Sequence, residues 1–277
     1  MSIKFNADVV GEIVRADLRN APAEEMRELY IRRNILDIDP DATIYRIVQL
    51  QYFIEDLVDR RMTYTNIDKD TWGDKSENPL LGRSFVLPDT GEALDLDDLV
   101  ANTYGSCWSA TALDTHRWWA RFSRSQPSVR LQSTPRKLLN SVMNTEQRFY
   151  MQHHAIGRMV YVPDERIEGE FADTNWQKHL DSLGQGIASS FLRLSDNLSD
   201  EDEVRLIYDD SRDPWAVLHV QLTNRFAKVP FDFQTAIDAL VIGPLVSECG
   251  AAELRTKLEL AKLNCPVSNS VLRLAVD

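Results

Sequence analysis

Hydrophobic positions in this chain change period several times, and each change marks an element. Val9, Val10, Ile13 and Val14 recur at helical spacing. APAEEMRELYIRRNIL repeats the pattern, with Pro22, Glu24 and Glu25 marking a first turn. These stripes predict a helical N-terminal extension over residues 1–40. Past Pro40, TIYRIV reads as a strand, QLQYFIEDLVDRR as a helix carrying Leu50, Phe53, Ile54, Leu57 and Val58, and RMTYTN as an alternating strand. TWGDKSENPLLG and LPDTGEALDLDD read as polar surface segments. TYGSCWSA, SVRLQS and IGRMVYVP then predict strands, while LDTHRWWARFSRS and TNWQKHLDSLGQGIASSFLRLS predict helices. Strand ALVIGP, a helix capped by Ser247 and a strand VLRLAV close the chain. Strands and helices mixed without regular alternation point to an α+β domain over residues 41–277.

One stretch breaks the ordinary pattern. In SDEDEVRLIYDD, acids run straight into an alternating strand. If Val204, Leu206 and Tyr208 face a core, strand alternation puts Glu201, Glu203 and Arg205 together on the other face, with same-face neighbours roughly 6.5–7 Å apart. Two readings stay open: a loaded face aimed into a cleft, or a solvated face with a weak Glu–Arg pair.

Composition narrows the classes. The 277 residues are 43% hydrophobic and 27% charged, in the range of a soluble globular chain. No apolar run reaches the length of a membrane span, and MSIKFNADVV lacks the parts of a signal peptide, so a cytoplasmic protein is expected. Cys107, Cys249 and Cys265 have no metal-ligand spacing and are expected as buried free thiols; the adjacent His153 and His154 make a poor metal pair. A net charge of −12 opposes nonspecific nucleic-acid binding. Thr115 to Lys137 nevertheless holds Arg117, Arg121, Arg124, Arg130, Arg136 and Lys137 with no acid, a local surface suited to phosphates or an ordinary helix face. A glycine-rich dinucleotide fingerprint, a phosphate-binding loop and a Gly-x-Ser-x-Gly elbow are all absent from the sequence.

Glu201, Glu203 and Arg205 remain, with Arg46 in IYRI and Ser109 in SCWS. An arginine, a serine and a carboxylate on three strands are the groups needed to open a glycosidic bond at nicotinamide. The arginine holds a phosphate or ribose, the serine orients the site, and the carboxylate faces an oxocarbenium-like transition state. A second carboxylate would polarise the incoming nucleophile.

Several segments resemble a known family. YGSCWSATALDTHRWWARFSRSQPSVRLQSTPRKLL is similar to the motif of the bacterial family catalogued as domain of unknown function 2971. TWGDKSENPLL, EDEVRLI, ALVIGPLVSE and PVSNSVLRL resemble its loop and strands, covering roughly residues 43–277. That family in turn looks like the ADP-ribosyltransferase superfamily, with its bacterial toxins that modify nucleic acid. The resemblance implies a split mixed or antiparallel sheet with flanking helices, and NAD as cosubstrate. It implies Glu203, Glu201, Arg46 and Ser109 as catalytic residues. Tyr45, Arg46, Tyr64, Trp72, Asp74, Asn78, Trp108, Ser109 and Arg205 would surround the dinucleotide, and Arg117, Arg121 and Arg124 would meet a macromolecular acceptor, with nucleic acid favoured. It further implies the toxin of a toxin–antitoxin or phage-defence system, with a neutralising antitoxin protein as partner. Lys75 and Ser76 depart from the family's loop, and LSDNLSD replaces its basic and aromatic residues before the Glu-x-Glu strand. A noncatalytic interaction module of the same fold and an NAD glycohydrolase are the rival readings. Structural roles also stay open: Arg46 paired with an acid on the neighbouring helix, Trp108, Trp118 and Trp119 in a core, and Asp74, Glu77 and Asn78 shaping a turn.

Overall fold

The computed structural model describes residues 7–68, 72, 77–87, 89–112, 114–143, 149–172, 184–210 and 214–272. Helices α1 (Ala7–Leu18) and α2 (Ala23–Asn34) lead into a two-residue strand, β1 (Ile35–Leu36). Strand β2 (Ile44–Gln49), helix α3 (Leu50–Asp59) and strand β3 (Arg61–Asn66) follow as the hydrophobic period requires. The polar excursion contains a small hairpin, β4 (Ser84–Val86) and β5 (Ala93–Asp95), and a short helix, α4 (Asp97–Val100). Next come β6 (Thr103–Ser109), α5 (His116–Ser123), β7 (Ser128–Ser133), α6 (Pro135–Val142), β8 (His154–Arg158), β9 (Val160–Val162) and α7 (Asp164–Ala172). Helix α8 (Gln185–Ser190), β10 (Arg193–Ser195) and a 3-10 helix (Asp196–Glu201) precede β11 (Glu203–Asp209). The remainder is α9 (Pro214–His219), β12 (Gln221–Leu222), β13 (Phe226–Pro230), α10 (Phe233–Ala236), β14 (Ala239–Ile242), α11 (Glu248–Leu260) and β15 (Val267–Asn269).

The main sheet is mixed, in the order β1-β8-β11-β6-β2-β7-β14-β15, and helices flank it. A branch runs β12-β13-β3 and joins at β6, so β6 is shared. Tyr104 and Gly105 pair with β3, while Ser109 pairs with Tyr45 of β2 in that interface's single registered pair. The edge of β6 from Ser106 to Trp108 therefore faces a parting in the sheet. Strands β2 and β3 diverge there because α3 joins them.

Both faces of the sheet are covered. Val204, Leu206 and Tyr208 enter one core, with Trp108, Leu131 and residues of α1, α2 and α3. Ile207 enters a second, with Phe191, Leu192, Ile67 and Leu80. Met26, Leu29, Tyr30 and Ile31 of α2 are buried in the first core, and β1 pairs with β8 in parallel. The N-terminal helices are thus packed into the body of the molecule.

Several expectations are corrected. IGRMVYVP is two strands, because Met159 donates its N–H to the Glu203 carbonyl (2.9 Å) while Val160 turns to Leu192 (2.8 Å). Helix α6 has Thr134 as its cap and Pro135 in its first turn, signals present in the sequence but not read as a helix above. Part of TNWQKHLDSLGQGIASSFLRLS lies outside the described residues, and its end forms α8 and β10. The last described strand is Val267–Asn269, upstream of VLRLAV, most of which lies outside the described residues. Cys249 is exposed and the other two thiols are half-buried, so none is a fully buried core thiol. No helix among the described residues is long and apolar enough to cross a membrane.

Candidate active site

The parting between β2 and β6 opens into a cleft of about 430 Å³, counted out to its mouth. Tyr45, Arg46 and Ile47 line it from β2, Cys107, Trp108 and Ser109 from β6, and Arg130 from β7. Trp118 and Phe122 of α5 close one side, and Glu201 and Glu203 stand on another.

Strand register explains the gathering. Glu203 lies opposite Ser109, and Ser109 opposite Tyr45, so the three form one row across β11, β6 and β2. Arg46, one residue along β2, belongs to the other face, where it approaches Phe53, Asp56 and Trp108. Arg46 and Trp108 line both the cleft and a small void on that other face.

Glu201 reaches the cleft by a different route from the one expected. Strand β11 starts at Glu203, and Glu201 ends the 3-10 helix. Asp202 between them has φ 45°, a left-handed conformation that Asp adopts more readily than most residues. Its carboxylate accepts from Thr111 Oγ1 (3.0 Å) and Arg158 Nη2 (2.6 Å), and its carbonyl accepts from the Ala110 N–H (2.9 Å). Ser109 Oγ donates to the Glu201 carbonyl at 2.9 Å. That bond fixes the serine to the backbone carrying the acid.

Glu203 is 3% exposed and Arg205 0%, which excludes a solvated strand face. The Arg205 guanidinium donates Nε to Glu203 Oε1 at 2.8 Å and Nη2 to Oε2 at 3.2 Å. Its Nη2 also meets Glu77 Oε2 at 2.7 Å, Nη1 donates to the Phe191 carbonyl at 3.0 Å, and the Trp72 ring centre is 4.8 Å away. Burial alone would lower the pKa of Arg205; the charges of Glu203 and Glu77 overcome that and raise it well above its ordinary value. A buried cation between two acids removes the penalty each would carry alone. Tyr161 accepts the Glu203 backbone N–H through its hydroxyl at 2.8 Å.

Glu201 differs. Burial, then the charge of Glu203, raises its pKa, while Arg121 opposes the shift from 2.6 Å. Its carboxylate is thus a stronger base than an exposed glutamate's. On the opposite wall, Arg46 makes no hydrogen bond or ion pair among the described residues. Desolvation lowers its pKa, and the nearest acid, Asp56, spends its oxygens on Thr63 N–H (3.0 Å) and Oγ1 (2.6 Å). The acid on the neighbouring helix is present, but it does not close a pair with Arg46.

Helix α5 forms the aromatic side. Thr115 caps it, Trp119 and Ser123 are buried, and Trp118 stacks on Phe122 one turn away at 4.9 Å. Its seat depends on Gly243, where a Cβ would come within 2.5 Å of the Ser128 carbonyl and 2.7 Å of the Trp119 ring. Arg117 and Arg121 both pair with Asp200, and Arg124 is the exposed left-handed residue ending the helix.

Other expected site residues lie elsewhere. Tyr64 is a core residue beside Tyr208, with ring centres 6.1 Å apart. Asn78 donates to the Ile67 and Val100 carbonyls at 3.1 Å each, bracing its loop. Trp72 and Arg205 stack beside the cleft without lining it, and Trp108, though 97% covered, does line it. Asp74 lies outside the described residues. Sequence reasoning did not single out Tyr161, Phe122 or Arg130 as site residues. Arg130 was marked only as one of the six cations of the basic segment Thr115–Lys137 and by the alternation of SVRLQS, and nothing local tied Tyr161 to Glu203. Among the described residues no group of three His, Cys, Asp or Glu could hold a metal ion.

No protein-family model matches the chain, and comparison with curated proteins finds no match. Solved structures of DarT from Thermus sp. 2.9 show a slight likeness. The complex with NAD+ has 12% identity and a TM-score of 0.33, covering 84% of this chain and 96% of that one. The complex with carba-NAD+ has 10% identity and 0.35, with 85% and 98% covered. The complex with ADP-ribosylated ssDNA has 12% and 0.36, with 85% and 97% covered. A likeness of this degree assigns neither site nor reaction.

Proposed function

We propose that the chain is an NAD-dependent ADP-ribosyltransferase of ADP-ribosyltransferase-type fold, acting on a macromolecular acceptor, with nucleic acid the favoured class. The polarity of the cleft carries this reading: a cation without a counter-ion on one wall, two carboxylates on the other, and Tyr45 and Ser109 in the row between. The motif resemblance around Arg46, Ser109 and Glu203 supports it.

The residues present suit a dinucleotide. Arg46 lacks an anion, and Tyr45, Trp118 and Phe122 offer ring surfaces. NAD bound there supplies a glycosidic bond whose rupture releases nicotinamide and leaves positive charge on the ribose. Glu203, oriented through both oxygens by Arg205, faces that charge without reorganising. Ser109 holds the backbone of the carboxylate segment in place. Glu201, with its raised pKa, takes a proton from the acceptor's nucleophile at a carboxylate oxygen. An acceptor's phosphates would compete with Asp200 for Arg117 and Arg121, and exposed pairs of that kind contribute only about 0–1 kcal/mol. A neutralising protein partner, expected of a toxin, belongs to the same proposal.

The test is incubation with NAD labelled in its adenylate part, separately with RNA, DNA and cell protein, for wild type and Glu203→Gln. Label on one acceptor, reduced about 100-fold or more in the variant, is expected. Free ADP-ribose without a labelled acceptor would make the protein a glycohydrolase. A folded protein that neither binds NAD nor releases nicotinamide would make it an interaction module.

A further inference from the structure

The ends of β3, β6 and β11 away from the cleft enclose a second chamber, of about 1,040 Å³ counted out to its mouth. The length of β6, from Ser109 to Thr103, separates the two by roughly 20 Å along the strand. Sheet register builds the chamber. Asn66 of β3 pairs with Tyr104 of β6, and Tyr104 with Tyr208 of β11. At the next position of that face, just past the strand ends, come Asp68, Asn102 and Asp210, all lining the chamber with Asn66 and Tyr104.

Asp210 is 6% exposed. Its Oδ1 accepts from the Tyr208 hydroxyl at 3.0 Å, but Oδ2 is covered by protein and has no donor, and no cation pairs with Asp210 among the described residues. A carboxylate in that state is costly unless a positive ligand completes it. The terminal torsion of an Asp is soft, so the carboxylate can turn toward a donor arriving in the chamber. Asn66, 5% exposed, donates Nδ2 to the Ala101 carbonyl at 2.9 Å, which leaves its Oδ1 without a donor. Tyr104 spends its hydroxyl on the Thr223 carbonyl, at 3.4 Å. The chamber thus offers a buried negative charge and a neutral acceptor, with Leu81 and Leu222 as apolar surface beside them.

That set suits an organic cation better than a metal ion. Two carboxylates line the chamber, and among the described residues no group of three His, Cys, Asp or Glu could hold a metal. A primary ammonium brings three donors on an apolar stem. We propose that this chamber binds a primary alkylammonium group: Asp210 takes its charge, Asn66 its second hydrogen bond, and Leu81 and Leu222 flank its stem. A free diamine and a lysine side chain share this chemistry. The site stands independently of the transferase reading.

Titration calorimetry on the full chain tests this with cadaverine, Nα-acetyl-lysine amide, tetramethylammonium and calcium chloride. Wild type should bind both primary amines saturably, and tetramethylammonium, which has no N–H, at least about 10-fold more weakly. Asp210→Asn should weaken the amines by about 10–100-fold. Asn224→Lys, at an exposed rim position, sets a tethered ammonium at the chamber and should block them as well. It carries the test if the Asp210 variant melts early. Tighter binding of cadaverine would assign the site to a free amine, and tighter binding of the acetylated lysine to a side chain. Failure of both amines to saturate folded wild type up to about 10 mM, or equal affinity in both variants, would overturn the proposal. Calcium binding in preference to the amines would overturn it in favour of a metal site.

Discussion

The two walls of the cleft handle charge in opposite ways. On the β11 wall every carboxylate has a cation of the chain's own: Arg205 holds Glu203, and Arg121 holds Glu201. On the β2 and β7 wall, among the described residues, Arg46 has no ion pair and Arg130 has one carbonyl and one ring. On the proposed function the compensated wall serves position and the open wall receives an incoming anion, so charge compensation, more than residue type, would separate structural ions from binding ions.

The sharpest way to break this contrast is Arg205→Met. Removing that cation strands Glu203 and Glu77 in a dry site, and a loss of about 3–5 kcal/mol in urea unfolding is expected. A loss under about 1 kcal/mol would mean that the β11 wall is not internally compensated. Arg46→Met should behave in the reverse sense. Stability should hold or rise, because a desolvated cation is removed, while NAD affinity falls about 10–100-fold. Destabilisation by several kcal/mol with intact binding would make Arg46 a structural partner of Asp56.

The smallest effect belongs to Glu201→Gln. A carboxyl whose folded pKa is raised adds stability that is complete below its unfolded pKa and lost as pH rises through the folded value. The Gln variant should therefore match wild type in acid and become the more stable of the two toward neutral pH, by about 1 kcal/mol or less. Melting curves across pH 4–8 measure this, and a variant less stable than wild type at neutral pH would show that the Arg121 pair outweighs burial.

How far the site was legible depended on distance in sequence. Arg46, Ser109 and Glu203 each sit in a short segment with clear alternation, and their strands formed where the alternation placed them. The helix and strand on either side of Arg60 were legible for the same reason. Glu201 was misassigned to the strand, because a left-handed Asp202 cannot be read from a run of acids. The pairing of Arg205 with Glu77 was hidden, since Glu77 lies in a distant loop. Whether Arg117 and Arg121 are free was equally hidden, because Asp200 meets them only when α5 folds against the 3-10 helix.

By itself the sequence determined the local periods: which residues form strands and helices, which side of each is apolar, and which few polar residues interrupt an apolar strand. Those depend on backbone geometry and on neighbours two to four residues away. Only the tertiary structure decided the sharing of β6 between β2 and β3, the row of Tyr45, Ser109 and Glu203, and which charges were already paired. Register and ion pairing are set by chain segments some fifty to a hundred residues or more apart meeting in a low-dielectric interior. There a charge must find a partner from elsewhere in the fold or stay open for a ligand.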